Sequence, residues 1–428
     1  YIFKIVNSSP AQETAYPVFK QNIDTVTKEM VDTIKAKGFD SVRIPTSWFR
    51  HVTKTTDENG NPVYTIDSRW LERVKEVVDY AYQQGMYVIL NLHHEEWINR
   101  SDFATAYEEM APQLKQMWTQ IATYFADYDQ HLIFEGMNEQ RAANSGALEW
   151  NGNEACYEVV NKLDNDFIET VRSVDSPYKD TRLLMIPGYA ASAYSSIYGY
   201  LEIPENDNYI AASVHAYCPY NFAMGDGDHM TFSDTNKTEL DKIFKDIQTT
   251  FTNEDIPVVI GEFSASNYNN TEARVDWATY YLNWAKKLGI PCFLWDNNAS
   301  ESHGYLDRSS LQWFSASEPV IDAMLSVLDD SSVKWGSERH LPEYKHSDLS
   351  DATSVIYENA EGGTFAADSN YFDAQRVSGS ELSEDVEIAV QYTDIMNPDL
   401  NFMDAEWGNW TTVAAYDVEK EKGIAYYS

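Results

Sequence analysis

Residues 132–139 read LIFEGMNE, an apolar run that ends abruptly in the polar pair Asn138 and Glu139. An apolar strand of this kind is buried on both faces, as in a parallel sheet whose two faces are covered by helices. In a barrel of such strands, the side chains at the C-terminal strand ends gather at one rim, where barrel enzymes carry out their chemistry. The stretch therefore predicts a barrel strand, with Glu139 as a catalytic candidate at its end.

A second carboxylate has the same setting. Residues 257–263 read PVVIGEF, so Glu262 also follows an apolar, β-branched run. Retaining hydrolysis of a glycoside needs one protonated carboxyl group and one ionised carboxylate, about 5–5.5 Å apart. Glu139 and Glu262 would end the fourth and seventh strands on opposite sides of a narrow barrel mouth. The pair therefore indicates glycoside hydrolysis.

The chain from residue 40 to residue 328 alternates short apolar runs with helical stretches, which is the pattern of repeated βα units around a parallel sheet. Strands are predicted at residues 41–45, 87–92, 132–135, 183–187, 210–215, 258–262 and 292–295. Helices are predicted at residues 27–36, 69–84, 111–126, 154–174, 238–250, 272–288 and 319–328. A barrel of eight strands needs one more strand at the start, and residues 2–6 (IFKIV) are the only candidate.

The predicted fold class is therefore α/β, a (β/α)8 TIM barrel followed by a small all-β, sandwich-like module. A length of 428 residues accommodates a barrel of roughly 250 to 400 residues and a second domain. We assign residues 1–330 to the barrel, 331–350 to a polar linker and 351–428 to the β-sandwich module. The module is predicted from short β-prone runs separated by Gly-Gly, Ser-Gly-Ser and Asn-Pro turn signals.

Composition restricts the partners of this chain. The formal net charge is −37 and the pI is about 4.4, so nucleic acid and anionic membranes would be repelled. The sequence contains no apolar run of about 18 residues that would span a membrane. Cys156, Cys218 and Cys292 form neither a disulfide framework nor a CxxC metal pattern. Aromatic residues make up 14% of the chain, which is compatible with stacking on the sugar rings of a neutral polymer.

Other polar residues cluster at the predicted rim. Arg43 lies in the apolar run VRIP, where a charge is costly unless a carboxylate pairs with it. Arg43 would either keep a nucleophile ionised or form a structural ion pair at the barrel floor. Polar side chains at such a rim can bind sugar hydroxyls and shift the pKa values of neighbouring carboxyl groups. The remaining candidates are His93 and His94 after the third strand, His215 and Tyr217 after the sixth, and Trp295 after the eighth.

Five strand-end motifs, NLHHEEW, FEGMNE, HAYCPYNF, IGEF and LWDN, occur in this order and resemble the signatures of glycoside hydrolase family 5. The doubled His and the EGMNE form are most similar to subfamily 4, bacterial endo-β-1,4-glucanases that include xyloglucan- and mixed-linkage-glucan-active members. The resemblance covers residues 24–296. It implies a (β/α)8 barrel and a double displacement through a glycosyl-enzyme intermediate, with no cofactor and no metal.

The resemblance also implies roles at the matching positions. Glu139 would be the acid/base and Glu262 the nucleophile, whereas Glu135 is interpreted as a structural rim residue. The chain departs from the family at the first strand. In similar proteins this strand reads like GWNLGN, and nothing before residue 24 matches that motif. The implied substrate-binding residues are Asn138 at the 2-hydroxyl of the sugar, Arg43 beside the nucleophile, His93 and His94 along that subsite, His215 and Tyr217 beside the carboxylates, and Trp295 beneath the sugar.

The predicted function is a secreted, monomeric, retaining endo-β-1,4-glucanase that acts on β-glucans such as cellulose, mixed-linkage glucan and xyloglucan. No signal peptide is visible, so the expectation of secretion rests on this function alone. The alternatives are a metal hydrolase with His93, His94, Glu95, Glu96 and His215 as ligands, a catalytically impaired polysaccharide-binding protein, and a related endo-β-mannanase or xylanase. Branches and linkages of the substrate would be read by the loops at 142–153, 189–200 and 222–232. For the C-terminal module, carbohydrate binding is expected by analogy only.

Overall fold

The computed structural model describes residues 26–225 and 230–340, and it also gives the backbone of residues 5–7 and of five strands between 388 and 427. The chain divides into two compact units, Tyr1–Pro342 and Glu343–Ser428. Within the described residues, none of the helices has the length and apolar character needed to cross a membrane.

Eight parallel strands form a closed barrel in the first unit. Barrel strands that follow one another along the chain are neighbours in the sheet, and the first strand pairs with both the second and the eighth. The predicted fold class is thus confirmed for the barrel, and the seven strands predicted after residue 40 agree with the observed bounds to within one residue. In chain order the strands are Ile5–Asn7, Ser41–Ile44, Tyr87–Asn91, Leu132–Glu135, Leu184–Pro187, Ile210–His215, Val258–Phe263 and Cys292–Trp295.

Seven helices of ten residues or more flank the barrel in the described part of the chain, and the sequence predicted each of them. They are Lys28–Lys37, Ser68–Tyr82, Tyr107–Tyr124, Glu154–Ser173, Asp234–Thr250, Thr271–Leu288 and Glu318–Asp329. Between the fifth and sixth strands there are a 3-10 helix, Tyr189–Ala191, and a short α-helix, Ser195–Tyr198. Smaller elements are the antiparallel hairpin of Val52–Thr56 with Pro62–Ile66, the short helices Leu148–Asn151 and Tyr220–Met224, and the strand pair Leu306–Asp307 and Gln312–Trp313.

Local signals in the sequence explain where the helices begin and end. The side chain of Thr27 accepts a hydrogen bond from the backbone of Met30 at the start of the first helix. Gly38 and Gly289 follow the helices Lys28–Lys37 and Thr271–Leu288 with φ of +116° and +73°, so both adopt the left-handed conformation that favours glycine at a helix end. These caps fix the points at which the chain turns back into the barrel.

The inside of the barrel changes from apolar to polar along the strands. A small buried cluster of strand residues fills the interior, consisting of Ile89, Ile133, Met185, Ala211, Val259 and Phe293. Side chains two positions further along a strand point to the same face. On the third, fourth and sixth strands those positions hold Asn91, Glu135 and Ser213, which are all buried. A polar layer therefore lies directly above the apolar floor.

The strands described in the second unit are Ile388–Gln391, Leu400–Met403, Trp410–Val413, Asp417–Glu419 and Ile424–Tyr427, and they pair in antiparallel fashion. Whether they form the expected sandwich stays a prediction. Residues 331–340, at the start of the predicted linker, contact the helix Thr271–Leu288. There the backbone N–H groups of Gly336 and Glu338 donate to the carbonyl groups of Lys286 and Lys287, each at 2.8 Å. The rest of the predicted linker lies outside the described residues.

Candidate active site

The two candidate catalytic carboxyl groups come together at the barrel mouth. One carboxyl oxygen of Glu139, one of Glu262 and a ring nitrogen of His215 all lie within 4.8 Å of one another. Their side chains are mostly buried, with 15% of Glu139 and 6% of Glu262 exposed. Carboxyl groups this close resemble the short separation of a retaining glycosidase, about 5–5.5 Å, rather than the roughly 6.5–9.5 Å of an inverting one.

Arg43 is the central cation of the site, and none of it is exposed. Its guanidinium donates from Nε to Glu135 at 2.7 Å, from Nη1 to Glu262 at 2.6 Å and from Nη2 to Asn138 at 2.7 Å. Burial works against the charge, yet Glu135 and Glu262 raise the pKa of Arg43 above its ordinary value. Arg43 therefore forms a structural ion pair and also contacts the candidate nucleophile, so the two roles considered from the sequence coexist.

Each oxygen of Glu262 is held by a different donor. Oε1 accepts from Arg43, and Oε2 accepts from the hydroxyl of Tyr217 at 2.7 Å. Burial and the charge of Glu262 raise the pKa of Tyr217 well above its ordinary value, so the phenol keeps its proton and remains a donor. Two fixed donors hold the orientation of this carboxyl group. A carboxylate prepared in this way suits attack on a sugar carbon.

Glu139 pairs with His215. Nδ1 of His215 lies 2.8 Å from Oε1 of Glu139. Burial works against the charge on Glu139, but the hydrogen bond and charge of His215 together with His94 lower the pKa of Glu139 to about 2. Burial also opposes charge on His215, whose pKa is nevertheless raised by Glu262 and Glu139. Both pKa shifts favour the charged pair, in which His215 donates to Glu139 at a hydrogen-bond distance.

The remaining candidates line the same mouth. The ring of His93 lies 6.0 Å from that of Trp295 at an interplanar angle of 11°, and 4.2 Å from the ring of His94. Burial, followed by the charges of His94 and Arg43, lowers the pKa of His93 well below its ordinary value, so its imidazole is neutral. His94 is exposed and has a φ of +38°, the kind of backbone strain that clusters at functional sites.

Two buried polar residues of the site, Asn91 and Ser213, were not singled out from the sequence. Glu135, which was interpreted as structural, accepts hydrogen bonds from Arg43, from Asn91 at 2.9 Å and from Ser213 at 2.7 Å. Asn91 and Ser213 are polar positions inside otherwise apolar strand runs, and the two-residue period of a strand is the signal that would have found them. These contacts connect the floor of the site to Arg43.

The ligands considered for a metal hydrolase do not converge. Glu95 is buried, and it accepts hydrogen bonds from the backbone of Trp48 and the indole of Trp97. Burial raises the pKa of Glu95 to about 8. In the described part of the chain, the metal-type side chains that do converge are Glu139, His215 and Glu262. The guanidinium of Arg43, 2.6 Å from Glu262, already supplies the positive charge there.

Comparisons with known proteins match the barrel to one family. Residues 6–301 match the family described as cellulase, glycosyl hydrolase family 5. The chain is 40% identical to Endoglucanase 1 of Ruminococcus albus over 294 residues, which covers 68% of this chain and 70% of that protein. It is similar to the solved GH5-4 broad specificity endoglucanase from Ruminococcus flavefaciens, with a TM-score of 0.69, 46% identity, and coverage of 76% of this chain and 95% of that one. A GH5 xyloglucan-specific endo-β-1,4-glucanase from a metagenomic library, solved with cellotriose, is 34% identical with a TM-score of 0.69 and coverage of 76% and 96%.

Proposed function

This chain belongs to glycosyl hydrolase family 5, the cellulase family, and we propose that it hydrolyses β-1,4-linked glucans at internal bonds, with Glu262 as nucleophile and Glu139 as acid/base. The observation that carries the proposal is the approach of the Glu139 and Glu262 carboxyl oxygens to within 4.8 Å at the barrel mouth. That separation suits direct attack by a carboxylate and leaves little room for a water molecule between the carboxyl group and the sugar.

The reaction has two displacements. In the first, the Glu262 carboxylate bonds to the anomeric carbon while the glycosidic oxygen takes a proton from Glu139 and leaves with its sugar chain. In the second, Glu139 accepts a proton from water, the water oxygen bonds to the same carbon, and Glu262 is released. Each displacement inverts the configuration at the anomeric carbon, so the two together retain it. Arg43 and Tyr217 hold Glu262 in place throughout, since each donates to one of its oxygens.

The proton for the leaving group is stored in the pair of Glu139 and His215. In the free site the charged arrangement places it on His215 Nδ1, 2.8 Å from Glu139. A bound sugar excludes water, and separated charges are less stable in a drier site. Bond formation at Glu262 also removes the negative charge that favours a charged His215. Both changes move the proton toward Glu139 when the leaving oxygen needs it.

The substrate class is inferred from relatives and from the site. The relative from Ruminococcus flavefaciens is described as broad specificity and the one from a metagenomic library as xyloglucan-specific, and both are endoglucanases. We therefore propose cellulose-like glucans, mixed-linkage glucan and xyloglucan as substrates. Asn138 would contact the 2-hydroxyl, His93 and His94 would line that subsite, and Trp295 would lie beneath the sugar. Because polymers of this size are digested outside the cell, we also propose that the enzyme is secreted.

A substrate panel tests the proposal. Carboxymethylcellulose, lichenan, xyloglucan, glucomannan and xylan are incubated with the protein and with its Glu139→Ala and Glu262→Ala variants, and released reducing ends are measured. We expect activity on the β-glucans that both substitutions abolish. Proton NMR of the first product should show the β-anomer. Activity confined to glucomannan or xylan would favour a mannanase or xylanase, and an initial α-anomer would contradict retention.

A further inference from the structure

A histidine that the proposed mechanism does not use packs against one of the donors to the nucleophile. His303 belongs to the loop that follows the eighth strand, and only 6% of the residue is exposed. Its ring meets the ring of Tyr217 edge-on, with the two centroids 5.9 Å apart and an interplanar angle of 67°. Tyr217 is the residue whose hydroxyl donates to Oε2 of Glu262. A single imidazole therefore supports the ring that carries this hydroxyl.

Both ring nitrogens of His303 are bonded to the segment that follows the nucleophile. Nδ1 lies 2.9 Å from Oγ of Ser264, and Nε2 lies 2.9 Å from Oγ of Ser266. Both serines are buried, and they come two and four residues after Glu262 in the chain. A serine hydroxyl can donate or accept, so a neutral imidazole with one donor and one acceptor satisfies both bonds. These two bonds fix the plane of the ring against which Tyr217 packs.

The surroundings of this imidazole keep it uncharged. Burial and the nearby charge of Arg274 lower the pKa of His303 to about 4. Arg274 is itself buried, and its Nε donates at 3.1 Å to the backbone carbonyl of Ala265, the residue between the two serines. The ring is thus neutral, shielded from solvent and bonded at both nitrogens. Such a group suits a support for its neighbours better than an acid or base that exchanges protons with a substrate.

We propose that His303 is a positioning residue that holds Tyr217 against the nucleophile, and that Ser264 and Ser266 hold His303 in turn. The imidazole connects the chain segment after Glu262 to Tyr217, which follows the sixth strand. A donor held in this way keeps the attacking oxygen in line, and misplacement of a reacting group by about 1 Å can cost about 10²-fold in rate. The inference rests on the proposed function, because the position of Tyr217 matters for catalysis only if Glu262 is the nucleophile.

Three substitutions separate the ring of His303 from its hydrogen bonds. His303→Ala removes both, His303→Asn keeps an amide near the position of Nδ1 but has no ring, and His303→Phe keeps a ring but bonds neither serine. The values of kcat and KM are measured on lichenan, and thermal unfolding gives the stability of each variant. His131→Ala is the matched control. The ring of His131 also packs on a tyrosine, 4.5 Å from Tyr87, but it precedes the fourth strand at the opposite end of the barrel.

We expect His303→Ala and His303→Asn to lower kcat about 10- to 100-fold with KM nearly unchanged, since His303 contacts Tyr217 and not the substrate. His303→Phe should keep most of the wild-type kcat but unfold at a lower temperature, because two buried serine hydroxyls lose a partner. His131→Ala should keep the wild-type kcat.

Three results would overturn the inference. They are a wild-type kcat in folded His303→Ala, an equal fall of kcat in His303→Ala and His303→Phe, and a kcat for His303→Asn above that of His303→Phe. If His303→Ala does not fold, the comparison of His303→Asn with His303→Phe decides the same question. Stability and activity are measured separately, so a purely structural role of His303 would lower the unfolding temperature and leave kcat unchanged.

A double-mutant cycle tests whether His303 acts through Tyr217. Tyr217→Phe lacks the hydroxyl that donates to Glu262, so the position of its ring no longer affects the nucleophile. His303→Ala should therefore lower kcat much less in the Tyr217→Phe protein than in the wild type. Equal factors in the two proteins would mean that His303 acts independently of Tyr217, and would contradict the inference. A wild-type protein that cleaves no β-glucan would contradict the proposed function instead.

Discussion

Buried carboxyl groups at the barrel mouth and in the helix layer have opposite surroundings. At the mouth, both oxygens of Glu262 accept hydrogen bonds, from Arg43 and Tyr217. Asp164, on the helix Glu154–Ser173, is 1% exposed, and neither of its oxygens has a hydrogen-bond partner among the described residues. Burial raises the pKa of Asp164 well above its ordinary value of 3.8. Burial alone therefore does not identify a catalytic carboxylate, because a buried carboxyl group also needs hydrogen-bond donors around it.

The difference has a physical consequence. A carboxylate that must attack a sugar carbon has to stay ionised while shielded from water, and only nearby donors and a cation make that possible. A carboxyl group without donors stays protonated in the folded protein and destabilises the fold at neutral pH. Removing charge at the barrel mouth should therefore harm the protein, whereas removing the carboxyl group in the helix layer should stabilise the fold.

The largest effect is expected from Glu262→Gln. The amide has nearly the same shape but cannot form the glycosyl ester, so kcat on lichenan should fall about 10⁴-fold or more. Asp164→Asn makes the same chemical change in the helix layer and should keep the wild-type kcat. Substantial activity in Glu262→Gln would remove Glu262 from the role of nucleophile.

Arg43→Met should be strongly destabilising. It leaves Glu135 and Glu262 buried without their shared cation, and breaking a buried ion pair in this way costs about 3–5 kcal/mol. The free energy of unfolding is measured with denaturant at pH 7. The control is Arg69→Met, which removes a cation whose side chain is 86% exposed and should change the stability little. Equal stability of Arg43→Met and the wild type would show that the mouth does not depend on its cation.

His215→Asn should shift the pH profile of kcat/KM. In the wild type, the raised pKa of His215 keeps the acid proton in the Glu139 pair to higher pH. Without the imidazole, Glu139 must hold that proton alone, so the basic limb should move to lower pH. Activity is measured across the pH range on lichenan. A basic limb at its wild-type position would mean that His215 does not carry the proton.

The smallest effect is expected from Asp164→Asn, and it is a gain. As pH rises past 3.8, the unfolded chain loses the Asp164 proton while the folded protein keeps it, so stability falls until the folded pKa is reached. The amide removes this loss, so it should stabilise the protein at pH 7, and by less at pH 4.

A matched control lies on the same helix. Asp166 is paired with Lys115 at 2.6 Å and with the hydroxyl of Tyr107 at 3.0 Å, so Asp166→Asn should lower the stability at pH 7. Thermal unfolding of both variants is followed at pH 4 and pH 7. A gain for Asp164→Asn that is the same at both pH values would contradict a protonated Asp164.

The barrel was predictable because its signals are local. Each strand after the first is an apolar run bounded by polar or turn residues, and helices with apolar faces separate the runs, so their bounds follow from the sequence period. The strand at Ile5–Asn7 was predicted at residues 2–6, since the barrel required it there. The catalytic candidates were predictable for the same reason, because strand ends meet at one rim.

The resemblance placed Arg43 beside the nucleophile and His215 beside the carboxylates, but the individual hydrogen-bond partners did not follow from the residue pattern. Glu139 pairs with His215, and Arg43 pairs with Glu135 as well as Glu262, only because the barrel closes and sets the register between distant strands. The prediction that the loop at 142–153 reads the substrate remains open. Within the loop at 222–232, residues 226–229 lie outside the described residues.

Covalent trapping tests the central claim most directly. A cellobioside with fluorine at C2 of the reacting sugar and an activated leaving group slows the second displacement, so the glycosyl-enzyme intermediate accumulates. Mass spectrometry of the digested protein should find one label, on the peptide that contains Glu262, and no label on the Glu262→Gln variant. A label on any other residue, or inactivation without a covalent label, would contradict Glu262 as the nucleophile.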